Sequence, residues 1–132
     1  GTPHDIFSDP ANLFVAQFIG TPPMNVLDGR MLGKVRRRLR HAADQQDPGR
    51  ILLGIRPAHI RVSAVGEGLF EGNISLISSL GNENLLYIDV MGQEVLASVT
   101  ESGSFQEGQI VQIDFDETAL FLFRKEDGGR IR

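Results

Sequence analysis

The sequence predicts a mainly β protein, a small barrel of the partly open, five-stranded kind with further short strands, preceded by one short N-terminal α-helix. Two observations support this fold class. Glycines separate the apolar runs at short intervals, as at Gly29, Gly68, Gly92, Gly108 and Gly128, which is typical of strands joined by tight turns. Within several of those runs, apolar residues recur at every second position, as they do in half-buried strands.

The alternation of apolar residues also locates the strands. Leu86, Ile88 and Val90 share one side of a predicted strand, and Met91-Gly92-Gln93 is a predicted hairpin loop in which glycine supplies the positive φ. The same reasoning predicts strands near residues 24–28, 33–39, 50–56, 59–65, 70–79, 84–90, 94–100, 109–115 and 118–124.

One segment, residues 10–19, has a helical pattern instead. Asp9 is suited to cap a helix whose first residue is Pro10. Gly20 can close that helix, and Pro22-Pro23 prevents its continuation. Its apolar face, which we expect to dock on another surface, consists of Leu13, Phe14 and Phe18.

The composition fits one domain with a short appendage. The chain has 132 residues, of which 41% are hydrophobic, so a core can form without crosslinks. It contains no cysteine, which excludes disulfides and thiolate metal sites. No apolar run reaches the length of about 18 residues that a membrane span needs. A net charge of −4 argues against nucleic acid as the main partner.

Residues for catalysis or metal binding are scattered. The sequence has no GxxxxGK[ST] loop, and its three histidines, His4, His41 and His59, lack the spacing of metal ligands, so we expect no metal site. His59 is interpreted as a hydrogen-bonded turn residue. The serines of the 70–79 strand have no glycine elbow or nearby base. Asp114 and Asp116 are interpreted as a solvated pair of surface carboxylates. Because none of these residues forms a catalytic pattern, the chain by itself is not expected to be an enzyme.

A basic run occupies residues 34–41. If it is a strand, one of its faces carries only cations. We favour a solvated edge strand whose charges block unwanted pairing. A nucleic-acid-binding barrel is the less favoured alternative, because few aromatic residues are available for base stacking. The basic side chains are Lys34, Arg36, Arg38 and Arg40.

Several stretches resemble one family, the maltose-type (MalK-like) ATPase subunits of carbohydrate ABC importers. The first runs from Gly1 to Asn25 and includes the junction Phe18-Ile-Gly-Thr-Pro-Pro23. The second, Leu53-Gly-Ile-Arg-Pro-Ala-His59, is similar to the family's LGIRPEH motif, with Ala58 in place of the acid. Leu80-Gly-Asn-Glu83 and Leu120-Phe-Leu-Phe-Arg-Lys-Glu-Asp-Gly128 complete the ordered set.

The resemblance implies an OB-type, TOBE-class β domain that follows an ATPase domain in the same polypeptide. It implies that residues 1–22 are the tail of that nucleotide-binding domain and that residues 23–132 form the regulatory domain. ATP and Mg would bind in the missing domain, and this chain would hold no cofactor. The implied partners are a second copy of the subunit, its own nucleotide-binding domain, the permease subunits and a regulatory protein. The implied location is the cytoplasmic, inner face of the cell membrane.

Four polar residues are the candidates for a regulatory or dimer surface. They lie at predicted strand corners and loops, which present polar groups rigidly. An alternative function is a small-ligand module, because related TOBE domains bind oxyanions. The four candidates are Arg56, His59, Asn82 and Glu83.

Overall fold

The computed structural model describes residues 23–34, 48–66, 68–100 and 105–131. Antiparallel strands and 3₁₀ turns make up the regular structure of these ranges, which confirms the mainly β class. No helix within them has the length and hydropathy of a membrane span. The predicted helix at residues 10–19, with Leu13, Phe14 and Phe18, lies outside the described residues.

The strands are short, and most of them match the alternating runs of the sequence. They are β1 (Asn25–Asp28), β2 (Ile51–Ile55), β3 (Ile60–Ser63), β4 (Phe70–Leu80), β5 (Glu83–Val90), β6 (Gln93–Val99), β7 (Ile110–Phe115), β8 (Phe121–Arg124) and β9 (Arg130–Ile131). The 3₁₀ turns are Gly29–Lys34, Pro48–Arg50, Pro57–His59 and Glu117–Ala119.

The chain forms two compact units. The first combines Gly1–Arg56 with Glu117–Arg132, and the second is the continuous segment Pro57–Asp116. The predicted boundary between residues 22 and 23 lies at the edge of the described ranges and stays a prediction.

The first unit contains a four-stranded antiparallel sheet in the order β1-β2-β8-β9. In its centre, Leu53 of β2 pairs with Leu27 on one side and with Leu122 on the other. Burial of these apolar side chains supplies the main stabilising term. The buried apolar residues of this unit are Met24, Leu27, Met31, Ile51, Leu53, Ile55, Leu122 and Phe123.

At Gly54 in β2, two side chains pack closely over the strand. A Cβ atom at this position would lie 2.6 Å from Met24 Sδ and 2.7 Å from Phe123 Cε2. Both neighbouring side chains are buried. The absence of a side chain at Gly54 is therefore what lets Met24 and Phe123 pack over the strand.

The second unit contains a five-stranded antiparallel sheet in the order β3-β7-β4-β5-β6. Strands β4, β5 and β6 follow one another through hairpins, and β7 returns beside β4, which is a Greek key. The edge strands β3 and β6 approach each other, and the turn Pro57–His59 packs on β6, so the sheet curls. The inner side of the curl is apolar and includes Ile74, Leu86, Ile88, Val90, Val95, Ala97, Val111 and Ile113.

Strand β4 changes partners along its length. Its first residues, Phe70–Asn73, pair with β7, and the ladder with β5 shifts register between Ile74 and Leu76. Beyond this irregularity, the Ile77 N–H donates to Glu107 Oε2 at 3.0 Å. The loop that precedes β7 thus covers a part of the β4 edge that none of the described strands pairs.

Two predicted strands differ from the structure at their ends. Residues 33 and 34 belong to the 3₁₀ turn Gly29–Lys34, and Asp28 Oδ1 accepts the Arg30 N–H at 2.8 Å. An aspartate that bonds the backbone two residues later favours a turn over an extended chain. Similarly, Glu117–Ala119 forms a 3₁₀ turn, so β8 begins only at Phe121. The sequence also missed β9, whose two residues are too few for an alternating pattern.

Candidate functional site

The β4–β5 hairpin carries two of the predicted surface residues. Leu80 and Glu83 pair at its end, with Gly81 and Asn82 as the two-residue turn. Gly81 has a φ of 66°, and a glycine with positive φ at the first turn position is the type II′ pattern. Asn82 is exposed at the tip. The structure therefore presents Asn82 on a short, geometrically fixed turn.

Side-chain hydrogen bonds hold the base of this hairpin. Ser79 Oγ donates to Asn84 Oδ1 at 2.8 Å, and Asn84 is one of the few buried polar residues, with 8% exposure. On the other side, Ser98 Oγ of β6 donates to Glu83 Oε1. A half-buried Glu83 held by the neighbouring strand is a positioned group rather than a freely rotating one.

Of the other two predicted surface residues, Arg56 directly precedes the 3₁₀ turn after β2 and His59 is the last residue of that turn. Arg56 is half-buried, and this burial lowers the pKa of its guanidinium from the ordinary value. His59 is exposed, and its carbonyl oxygen accepts the Asp116 N–H at 3.1 Å. That bond confirms His59 as a hydrogen-bonded turn residue. Of the four predicted residues, the structure brings only Asn82 and Glu83 into one element; the role of all four stays a prediction.

The basic run is described only at its first residue. Lys34 ends a 3₁₀ turn and is not in a strand. Arg36, Arg38 and Arg40 lie outside the described residues, so their predicted common face stays a prediction.

Asp114 is more than a solvated carboxylate. Its Oδ1 accepts the Leu69 N–H at 3.2 Å, and the residue is half-buried on β7. Opposite it on β3 lies Arg61. The carboxylate thus fixes the chain just before β4, and the interpretation of Asp114 as part of a solvated pair was wrong. A contact between residues 45 positions apart leaves no local pattern that could have indicated it.

A cavity that the sequence did not predict lies in the first unit, at the end of β8. Its volume is about 450 Å³, and its described lining is Arg50, Arg124, Lys125 and Glu126. We call it the basic cavity. Ile51 and Arg124 are opposite in the β2–β8 ladder, and the Lys125 N–H donates to the Arg50 carbonyl at 2.8 Å. This pairing is what brings cations more than 70 positions apart in the sequence to one place.

The turn between β8 and β9 fixes one of those cations. Arg124 Nε donates to Asp127 Oδ1 at 3.1 Å, and the Gly129 N–H donates to the same oxygen at 2.7 Å. The hydrogen bond from Gly129, followed by those from Arg124, lowers the pKa of Asp127 below its ordinary value. A Cβ atom at Gly129 would collide with Arg124 Nη2. The guanidinium therefore lies over glycine, held by an ionised carboxylate.

The chain is similar in sequence to a known domain family and to several known proteins. Residues 53–123, more than half of the chain, match the TOBE domain family. The sn-glycerol-3-phosphate import ATP-binding protein of Psychromonas ingrahamii is 36% identical over 99% of this chain and 38% of its own length. The trehalose/maltose import ATP-binding protein of Thermococcus litoralis is 31% identical over 99% of this chain and 40% of its own. The chain thus spans less than half the length of these relatives.

Among solved structures, the cytoplasmic molybdate-binding protein ModG has a similar fold. The TM-score is 0.51, the sequence identity is 11%, and the alignment covers 65% of this chain and 69% of that one. This likeness supports the predicted OB-type, TOBE-like class.

Proposed function

The chain belongs to the TOBE domain family, and from this premise we propose that it is the regulatory and dimerisation domain of the ATP-hydrolysing subunit of a carbohydrate importer. The observation that carries the proposal is the match along 99% of the chain to import ATP-binding proteins. The proposed domain does not itself hydrolyse ATP, since the sequence has no GxxxxGK[ST] loop. ATP and Mg would be held by a nucleotide-binding domain elsewhere in the parent subunit.

The proposed partners follow from that role. They are a second copy of the subunit, its nucleotide-binding domain, permease subunits and a regulatory protein, at the inner face of the cell membrane. A domain that keeps two subunits together needs a surface that is rigid and partly apolar. Two features of the second unit supply such a surface.

The first feature is the polar tip of the β4–β5 hairpin, where Ser98 holds Glu83 and the turn presents Asn82. The second is a cross-strand row on the same sheet, in which Leu76 pairs with Tyr87 and Tyr87 pairs with Leu96. Leu76 is 48% exposed. An exposed leucine on the same hairpin as a fixed polar turn, four positions before the Leu80–Glu83 pair, offers an apolar centre and a polar rim for an interface.

Sedimentation velocity over a concentration series tests dimerisation. We expect Leu76→Glu to weaken the dimer by about tenfold or more, because it would place a charge in an apolar contact. Met91→Glu is the matched control, since Met91 is 72% exposed at the opposite end of β5 and should leave assembly unchanged. A strictly monomeric chain at high concentration, with no gain of assembly in the full-length parent, would count decisively against the proposal.

A further inference from the structure

The basic cavity concentrates positive charge in the first unit. Three of its four described lining residues are cations, and Glu126 is the single acid among them. Arg124 is paired with Asp127 in the adjacent turn. Within the described ranges, Arg50 and Lys125 form no ion pair. Their backbones are nevertheless joined by the 2.8 Å hydrogen bond from Lys125 N–H to Arg50 carbonyl.

Like charges that the backbone brings close together repel each other, and an anion bound between them offsets that repulsion. Here the ladder itself forces the arrangement, because Ile51 and Arg124 are in register and Arg50 and Lys125 continue the pairing. The fields of cations that lie close together add, so the local potential is more positive than that of one cation alone. We propose that the basic cavity is a binding site for the phosphate group of a small phosphorylated polyol, such as a sugar phosphate.

The chemistry of the lining fits a phosphate monoester. Arginine offers a planar fork of donors that matches two phosphate oxygens, and lysine adds a compact charge. Arg124 Nε donates to Asp127 Oδ1 at 3.1 Å, which restricts the arginine side chain before a ligand arrives. A donor that is already fixed loses less entropy on binding.

The size of the cavity and its one acid indicate a ligand larger than the free anion. A volume of about 450 Å³ lies within the range of small-molecule sites, about 300–1,000 Å³, and exceeds what one tetrahedral oxyanion fills. Glu126 repels a free dianion but accepts hydrogen bonds from hydroxyl groups. A polyol body would place hydroxyls on Glu126 while its phosphate contacts Arg124 together with Arg50 and Lys125.

None of its four described lining residues belongs to the basic run at residues 34–41 or to the β4–β5 hairpin. Binding of a phosphorylated polyol does not depend on the proposed function. A role of that binding as a metabolic signal to a transporter would rest on the proposed function.

Isothermal calorimetry on the 132-residue chain tests the inference with glucose 6-phosphate, inorganic phosphate and glucose. We expect saturable binding of glucose 6-phosphate with a Kd of roughly 0.1–1 mM, because exposed charge pairs are individually weak. Inorganic phosphate should bind at least about fivefold more weakly, glucose should give no binding heat, and affinity should fall as salt rises.

Variants assign the binding to the basic cavity. Arg50→Gln and Lys125→Gln should each weaken glucose 6-phosphate binding by about fivefold or more. Arg61→Gln removes the same charge from an exposed residue of β3 and should change nothing. Circular dichroism verifies that each variant is folded.

Three results would each overturn the assignment: no saturable binding of glucose 6-phosphate, equal binding of glucose, or equal loss in Arg61→Gln. Sedimentation velocity on the same samples measures dimerisation separately. An absence of ligand binding at the basic cavity can therefore be distinguished from an absence of the proposed dimerisation.

Discussion

Gly54 shows how one missing side chain shapes the sheet of the first unit. Glycine in a strand interior normally costs stability, because it orders a flexible backbone and offers nothing to pack. Here the strand stays central, with β1 on one side and β8 on the other. The space above Gly54 is filled by Met24 and Phe123, which are 4% and 0% exposed. The benefit of that packing offsets the cost of the glycine.

We expect Gly54→Ala to lower the free energy of unfolding by about 1–3 kcal/mol, because the new methyl would overlap Met24 Sδ and Phe123 Cε2. Chemical denaturation measures the change. The Met24→Ala background provides the control: the penalty for Gly54→Ala should be smaller there, since the thioether is gone. An equal penalty in both backgrounds would show that Met24 is not the obstacle.

Residue chemistry also explains how far the candidate surface could be predicted. Asn82 and Glu83 follow a leucine-glycine pair in a recognisable hairpin signal, so their position in a turn was readable. The hydrogen bond that holds Glu83 comes from Ser98, 15 positions away, and depends on the register of β5 with β6. No local sequence pattern predicts this hydrogen bond between Ser98 and Glu83.

At the scale of elements, the β5–β6 hairpin confirms the loop predicted from Met91-Gly92-Gln93. Val90 pairs with Gln93, so the turn proper is Met91-Gly92, with φ values of 54° and 81°. Positive φ at both positions is the type I′ turn that matches the twist of paired strands. Among the described non-glycine residues, only Met91 has a positive φ. A left-handed conformation is unfavourable for such a side chain.

Met91→Asn should therefore raise the free energy of unfolding by about 0.5–1 kcal/mol, because asparagine tolerates this conformation and suits the turn. The shift of the denaturation midpoint measures it. Val65→Asn is the control, since Val65 is 83% exposed and has no positive φ to relieve. Equal effects of the two substitutions would mean that replacing an exposed apolar side chain by a polar one, and not relief of the turn conformation, causes the change.

The ends of elements were less predictable than their centres. The alternating pattern placed β5 and β6 within one residue of their observed bounds. At residues 33–34 the same pattern failed, because Asp28 bonds the Arg30 N–H and starts a 3₁₀ turn. At these residues a local hydrogen bond favours a turn, although the hydrophobic periodicity predicts a strand.

At the scale of the whole molecule, the two units differ in how the chain builds them. Residues Pro57–Asp116 are continuous, whereas the other unit joins segments from both sides of them. The continuous unit has a five-stranded sheet and its own buried apolar set. About 60 residues with such a core is near the lower limit for independent folding.

We expect residues 57–116, expressed alone, to retain a β-type circular dichroism spectrum and a cooperative thermal transition, because their strands pair only with one another. The control is a fragment of the same length with Ile88→Asp, which charges a fully buried position and should not fold. A wild-type fragment that is as disordered as this control would contradict the expectation.

The sequence alone determined the β class, the turns of the β4–β5 and β5–β6 hairpins and the resemblance to importer ATPase subunits, because periodicity, glycine spacing and motifs are local signals. Tertiary structure alone decided which distant residues meet. It joined Leu69 to Asp114, Glu107 to the edge of β4, and Arg50 to the β8–β9 turn. Each of these contacts depends on strand order and register, which are settled only when the sheets assemble.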